Sequence, residues 1–230
     1  MNYFVERDVM KKIIITNSLL CLFILYMLEQ ILMTPYIIKT IIKFPMFTLF
    51  PFLIRHYLLK SKSTIVIKKS EQRFILVWSV FIFVLVFTLA LALKSFIDIR
   101  SISSDFTNRM QLGNRNMVLA AVYTVFINSF IEEYFFRGFI FQNLLKQGWN
   151  KTAFILSSTA FAVYHISVFK AWFNPGFMML ILFGLFSGGL IFAYFVKKTE
   201  SILASWFIHL SADLALIVYG FLVLDLLTWV

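Results

Sequence analysis

The sequence predicts an all-α, polytopic membrane bundle of about seven to eight transmembrane helices. Three observations carry that expectation. The 230 residues are 61% hydrophobic and 14% charged, with a mean hydropathy of +0.88. Soluble domains run at roughly 45–50% apolar and about 25% charged, so this excess is too large for one soluble core. The apolar residues also fall into runs of about 20, the length that a spanning helix needs. One of them, Phe74 to Leu93, carries no charge at all.

Taken in order, the first expected span is Ile13 to Met33, with Glu29 near its end and Pro35 as its breaker. The stretch following Lys11-Lys12 is too long for a cleavable signal and reads as a retained anchor. Tyr36 to Leu59 is the second span, interrupted by Lys39, Lys43, Pro45 and Pro51, so part of it is expected at the interface. After the basic stretch Lys60 to Arg73 comes the charge-free span. Lys94 to Arg115, holding Asp98, Asp105, Arg109 and Asn114, reads as a surface connection with a short interfacial helix. Met117 to Leu145 is long for one span and is expected to tilt or bend near Gly138, with Gly148 ending it. Thr152 to Phe169, Phe177 to Val196 and Ser201 to Leu224 complete the set. Asn174-Pro175-Gly176 reads as a turn, and Gly184, Gly188 and Gly189 as points where another helix approaches closely. Residues 1–116 then form N-terminal membrane helices, three spans plus loops, and 117–230 a core, in one integrated membrane domain.

The net charge of +10 does not point to nucleic acid, because the basic residues cluster between apolar runs as in cytoplasmic membrane loops. With the N-terminus inside, Arg7, Lys11, Lys12, Lys60, Lys62, Lys68, Lys69, Arg73, Lys146, Lys151, Lys197 and Lys198 lie on the inner side. Lys94, Arg100, Arg109, Arg115 and Lys170 lie outside, and this asymmetry favours a cytoplasmic N-terminus. Cys21 is the one cysteine, which excludes an intramolecular disulfide and a cysteine-based zinc site.

Between Met117 and Leu145 the only formal charges are Glu132, Glu133 and Arg137. At mid-membrane each charge costs roughly 2.5–3.5 kcal/mol on insertion scales, so it needs a partner and usually has a function. Glu133 and Arg137 are four apart and share a helical face. Glu132 is rotated about 100° from Glu133 and is free to point elsewhere. His209 and Asp213 are again four apart, and His165 comes from a separate helix. Three helices could therefore aim Glu132, His165 and His209 at one buried point. The third histidine, His56, stands beside Arg55 at the end of a span and reads as interfacial.

These groups suit carboxylate-driven or metal-assisted hydrolysis, with a buried glutamate as general base and a neutral histidine sharing a proton or ligating zinc. His-Glu-x-x-His, Gly-x-Ser-x-Gly and a phosphate-binding glycine loop are all missing. Taken singly, Glu133–Arg137 reads as a structural ion pair, His165 as an interhelical hydrogen bond, and His209–Asp213 as a packing pair. Their joint placement within spans of one half of the chain favours an active or ion-handling site.

Glu132-Glu133-x-x-x-Arg137, Phe161-x-x-x-His165 and His209-x-x-x-Asp213 together resemble the motif series of the CPBP family. This is the family of type II CAAX prenyl proteases and bacteriocin-processing proteins, also called the ABI family. The resemblance covers roughly Met117 to Leu224. It implies an intramembrane endopeptidase in which Glu132 and His165 activate water. It further implies that Glu133 and Arg137 support them, and that His209 and Asp213 stabilise the oxyanion, with Phe161 opening the second motif. No cofactor is required in the favoured glutamate-dependent mechanism. A divalent metal such as zinc would take Glu132, His165, His209 and Asp213. An ionised aspartate cannot donate to an oxyanion as asparagine does. Asp213 is therefore expected to orient His209, so that a protonated His209 stabilises the developing charge. The implied partners are the lipid bilayer and a peptide or membrane-protein substrate, with bacteriocin maturation or immunity as one setting. The rival readings are a non-catalytic scaffold or immunity protein and an ion or proton transporter.

Overall fold

The apolar runs are helical over nearly their full length in the computed structural model, which describes residues 2–59, 65–110, 115–169 and 172–223. No strand forms among the described residues. Seven of their helices are long and apolar enough to cross a membrane. They are α1 (Arg7–Ile31), α2 (Tyr36–Leu58), α3 (Lys69–Ala92), α5 (Val118–Lys146), α6 (Asn150–Phe169), α7 (Pro175–Thr199) and α8 (Ile202–Val223). The shorter α4 (Ile99–Met110) lies between α3 and α5. The chain is thus a multi-pass membrane protein. Lys60, Lys62, Asn114, Lys170 and Leu224, used in the loop, charge and span assignments above, lie outside the described residues.

Local chemistry explains the boundaries. The helices that carry α1 and α3 start earlier than hydropathy indicates, at Asn2 and Lys69, because lysine, arginine and glutamate are good helix formers beyond the apolar stretch. Pro35 takes an extended conformation (φ −52°, ψ 144°) and so separates α1 from α2. Inside α2, Pro45 lacks an amide donor, and regular geometry fails at Thr48 (φ −121°, ψ −65°). The Thr48 hydroxyl donates to the Phe44 carbonyl at 2.6 Å, and the helix then resumes. α2 therefore bends without splitting, and no eighth span forms among the described residues. The connection after α3 is more helical than expected. Asp98 accepts from the Ser101 amide at 3.0 Å and caps α4. Asn174-Pro175-Gly176 starts α7 instead of making a free turn. The Asn174 side chain accepts from the Phe177 amide at 2.9 Å, and proline suits the first helical position. Gly148 ends α5 as expected, with φ +81°, where a side chain would be strained.

α5 is the axis of the bundle. In its most apolar window 44% of residues are buried, as in α6, against 17–28% in the other spans. Phe135, Phe136, Phe139, Ile140, Phe141 and Leu144 are all completely buried. Around this axis α3 packs along α8, α6 along α7, and both α6 and α8 along α5. α1 lies against α6, fixed by Gln30 donating to the Ser167 carbonyl at 2.7 Å. α2 is held by Phe47, whose ring stacks on Phe135 at 4.1 Å and meets Phe136 edge-on at 5.6 Å. Large apolar side chains such as Leu19, Phe23, Val77, Phe81 and Phe183 cover the outside, as lipid contact requires.

Only one of the three glycines assigned to close helix approach performs it. A Cβ at Gly189 would stand 2.9 Å from the Ser158 backbone, whereas Gly184 and Gly188 face nothing within 4 Å. The contact lies between α6 and α7, and it seats the Gly189 carbonyl 3.4 Å from the Arg137 guanidinium. Gly189→Ala is therefore expected to destabilise the protein by about 1–3 kcal/mol. Gly188→Ala should stay within about 0.5 kcal/mol of wild type. Thermal unfolding in detergent reads both, and equal behaviour of the two variants would contradict the packing described.

Candidate functional site

The polar groups of the second half meet inside the bundle. Glu132 and Glu133 occupy a short regular α-helical stretch of α5, Ser129–Glu133. On either side the backbone widens to bonds reaching five residues back, over Tyr123–Asn128 and Tyr134–Phe141. Such wide turns recur at functional sites because they redirect side chains without ending the helix. Here they bracket the two glutamates, which are 2% and 0% exposed.

Glu133 turns toward α8. Its Oε1 accepts from Arg137 Nη1 at 2.9 Å and pairs with His209 Nδ1 at 3.0 Å. Arg137 is itself completely buried. The rings of Phe161 and Phe192 flank its guanidinium, with centroids at 4.4 and 4.9 Å. These faces carry partial negative charge and favour a cation. The His209 ring stacks on Phe192 at 4.9 Å and meets Phe161 edge-on at 5.4 Å. Because Nδ1 faces a carboxylate, which only accepts, it carries the proton there. Nε2 then points to Asp213 Oδ1 at 3.6 Å, an ion-pair distance beyond a normal hydrogen bond. The carboxylate in hydrogen-bonding range of His209 is thus Glu133, and Asp213 stands half-buried at the other ring nitrogen.

Glu132 turns the other way, toward α2 and α6. Oε1 accepts from Lys43 Nζ and from Asn128 Nδ2, each at 2.8 Å. The same carboxylate interacts electrostatically with His165 and His209. α5, α6 and α8 therefore carry Glu132, His165 and His209 within electrostatic range of one another. His165 is half-buried, and its Nδ1 lies 2.8 Å from the Phe161 carbonyl. A carbonyl only accepts, so Nδ1 carries the proton and Nε2 keeps its lone pair for another donor. Phe161 thus supports both histidines, by its carbonyl and by its ring. His56 stands apart, exposed, against Phe52 and Tyr57.

Three participants were not singled out from the sequence. Lys43 counts there only as an interruption of a span, yet its side chain is 7% exposed and lies against Glu132. Tyr164 precedes His165, and its hydroxyl accepts from Lys43 at 2.6 Å. Asn128 lies one helical turn before Glu132, and that spacing could have revealed it.

A divalent metal does not fit the proposed donor set as it stands. Among the described residues no three His, Cys, Asp or Glu side chains are placed to hold one. Glu132 Oε1 already faces an ammonium, and His209 Nδ1 is turned to Glu133.

Seven apolar helices closing over ionisable side chains make this a multi-pass membrane protein with an intramembrane polar site. Residues 114–215 match the family described as Type II CAAX prenyl endopeptidase Rce1-like, which bears out the CPBP resemblance over that stretch and supports a CAAX-type intramembrane protease. The match begins just before α5 and ends in α8, past Asp213. No match to the chain is found among the curated proteins or among the solved structures.

Removing one partner of a fully buried ion pair leaves an uncompensated charge, at a cost of about 3–5 kcal/mol. Arg137→Met should therefore lower the yield of folded protein sharply. Arg137→Met combined with Glu133→Gln should recover much of it. Fluorescence-detected size exclusion reads both, and a single variant as abundant as the double one would contradict the pairing.

Proposed function

We propose that the protein is a glutamate-dependent intramembrane endopeptidase acting on a peptide or membrane-anchored substrate. The observation that carries the reading is the buried Glu132 carboxylate, placed within electrostatic range of His165 of α6 and His209 of α8. Water would sit between Glu132 and the lone pair of His165 Nε2. Glu132 takes its proton as the oxygen attacks the scissile carbonyl, which becomes tetrahedral and anionic. His209, protonated at both ring nitrogens, holds the oxyanion through Nε2–H, with Glu133 fixing the ring through Nδ1–H. The proton on Glu132 then passes to the leaving nitrogen as the C–N bond breaks, which regenerates the carboxylate. Arg137 acts at a distance: by holding Glu133 it holds His209. Asp213 faces the same Nε2 and would give way to the substrate carbonyl. The site lies below an apolar surface, so the substrate would enter from the bilayer, with the N-terminus on the cytoplasmic side.

The test is cleavage of a peptide library, with and without C-terminal prenylation, by purified protein in detergent. Wild type should cut a subset of the peptides. Glu132→Gln should lose at least about 10³-fold in kcat, within the range of a lost general base. A chelator should leave the rate unchanged. Glu132→Gln cutting at the wild-type rate would overturn the role of Glu132 as base, wild type cutting nothing would favour a scaffold, immunity or transport protein, and loss of activity with chelator would restore a metal-dependent mechanism.

A further inference from the structure

We propose that Lys43, from the N-terminal half of the chain, is a positioning residue for the Glu132 carboxylate and completes the site. The inference rests on the peptidase reading above. It concerns a residue outside the matched stretch 114–215 and outside all three motifs.

An ammonium has three N–H donors and no acceptor. Three acceptors surround Lys43 Nζ: Glu132 Oε1 at 2.8 Å, Asn128 Oδ1 at 2.6 Å and Tyr164 Oη at 2.6 Å. Every donor is thus matched. The head is further confined between the rings of Phe47 and Tyr164, with centroids at 5.2 and 4.7 Å. A lysine so fixed differs from a flexible counter-charge, because turning it away breaks three bonds at once.

The arrangement is directional as well as neutralising. Lys43 and Asn128 both bond to the same oxygen of Glu132, Oε1. Asn128 is in turn held by Lys43 through its carbonyl oxygen, so the three side chains close a ring. Fixing one carboxylate oxygen from two directions sets the plane of the group, and with it the direction in which Oε2 faces. The Tyr164 bond reaches the helix that carries His165, so one ammonium sets the spacing between base and histidine. Lys39, one turn earlier on α2, offers a contrast. It pairs with Glu29 of α1 and lies over the Tyr36 ring at 5.0 Å, in place of a carboxylate of the motifs.

The test compares steady-state cleavage of the best peptide from the library above, per mole of folded protein. A misplaced catalytic group costs on the order of 100-fold, so Lys43→Met should lower kcat about 100-fold with KM within about twofold of wild type. Lys43→Arg keeps the charge but not the three-way geometry, and should recover about a tenth of wild-type kcat. Tyr164→Phe removes one anchor of the ammonium, and Asn128→Leu removes another together with its own bond to Glu132 Oε1. Each should lower kcat by about 3–10-fold at constant KM, and they supply the answer if Lys43→Met does not fold. Wild-type kcat per folded molecule in Lys43→Met, or in both anchor variants, would overturn the proposal by reducing Lys43 to a structural role. A rise in kcat would overturn it too, by making the ion pair inhibitory. If Glu132→Gln retains wild-type cleavage the glutamate-dependent mechanism falls, if wild type cleaves nothing the peptidase reading itself falls, and in either case the role of Lys43 falls with it.

Discussion

Everything in the second half of the bundle is arranged around one carboxylate oxygen, Glu133 Oε1. It accepts from a guanidinium on its own helix and from an imidazole on α8, both of them buried. In such surroundings a charge without a partner is expensive, and a pair is tolerated only when geometry and extra contacts offset desolvation. Here the offset comes from phenylalanine. Phe136, Phe161 and Phe192 turn their faces to Arg137, and Phe192 also stacks on His209. The abundance of phenylalanine in this sequence is therefore part of the polar chemistry as well as of the lipid-facing surface.

The adjacent glutamates divide two tasks by helix rotation alone. Glu133 looks toward α8 and is consumed by structure, while Glu132 looks toward α2 and α6 and meets the groups suited to chemistry. A site built this way needs no loop. Each participant sits on a packed helix, and small side chains or none allow the helices to close, as Gly189 does against Ser158. Rigid elements of this kind hold angles better than loops can.

Much of this was legible in the sequence, and the part that was not has a definite physical cause. Spans could be read because bilayer thickness fixes their length. Glu133 with Arg137 and His209 with Asp213 could be read because neighbours on a helix surface recur at four residues. Partners distant in sequence leave no such trace. Lys43 finds Asn128, Glu132 and Tyr164 at separations of 85, 89 and 121 residues. Seen locally it was only a cost to its own span. The pairing of Glu133 with His209 was hidden in the same way, and spacing alone offered Asp213 in its place. The assignment of Asn174-Pro175-Gly176 to a turn failed for a different reason: the same residues make a strong helix start, and only the chain that follows decides between the two.

The wide turns of α5 have a bearing on how such a chain can change over time. Between Tyr123 and Phe141 the helix departs from regular winding on both sides of Ser129–Glu133. Adding or dropping one residue there would swing everything beyond it by about 100° about the axis. Arg137 would then leave its glutamate, and the buried residues from Phe139 to Leu144 would lose their present packing partners. Substitutions that respect size could accumulate in this stretch, but its residue count is held constant by the geometry on either side.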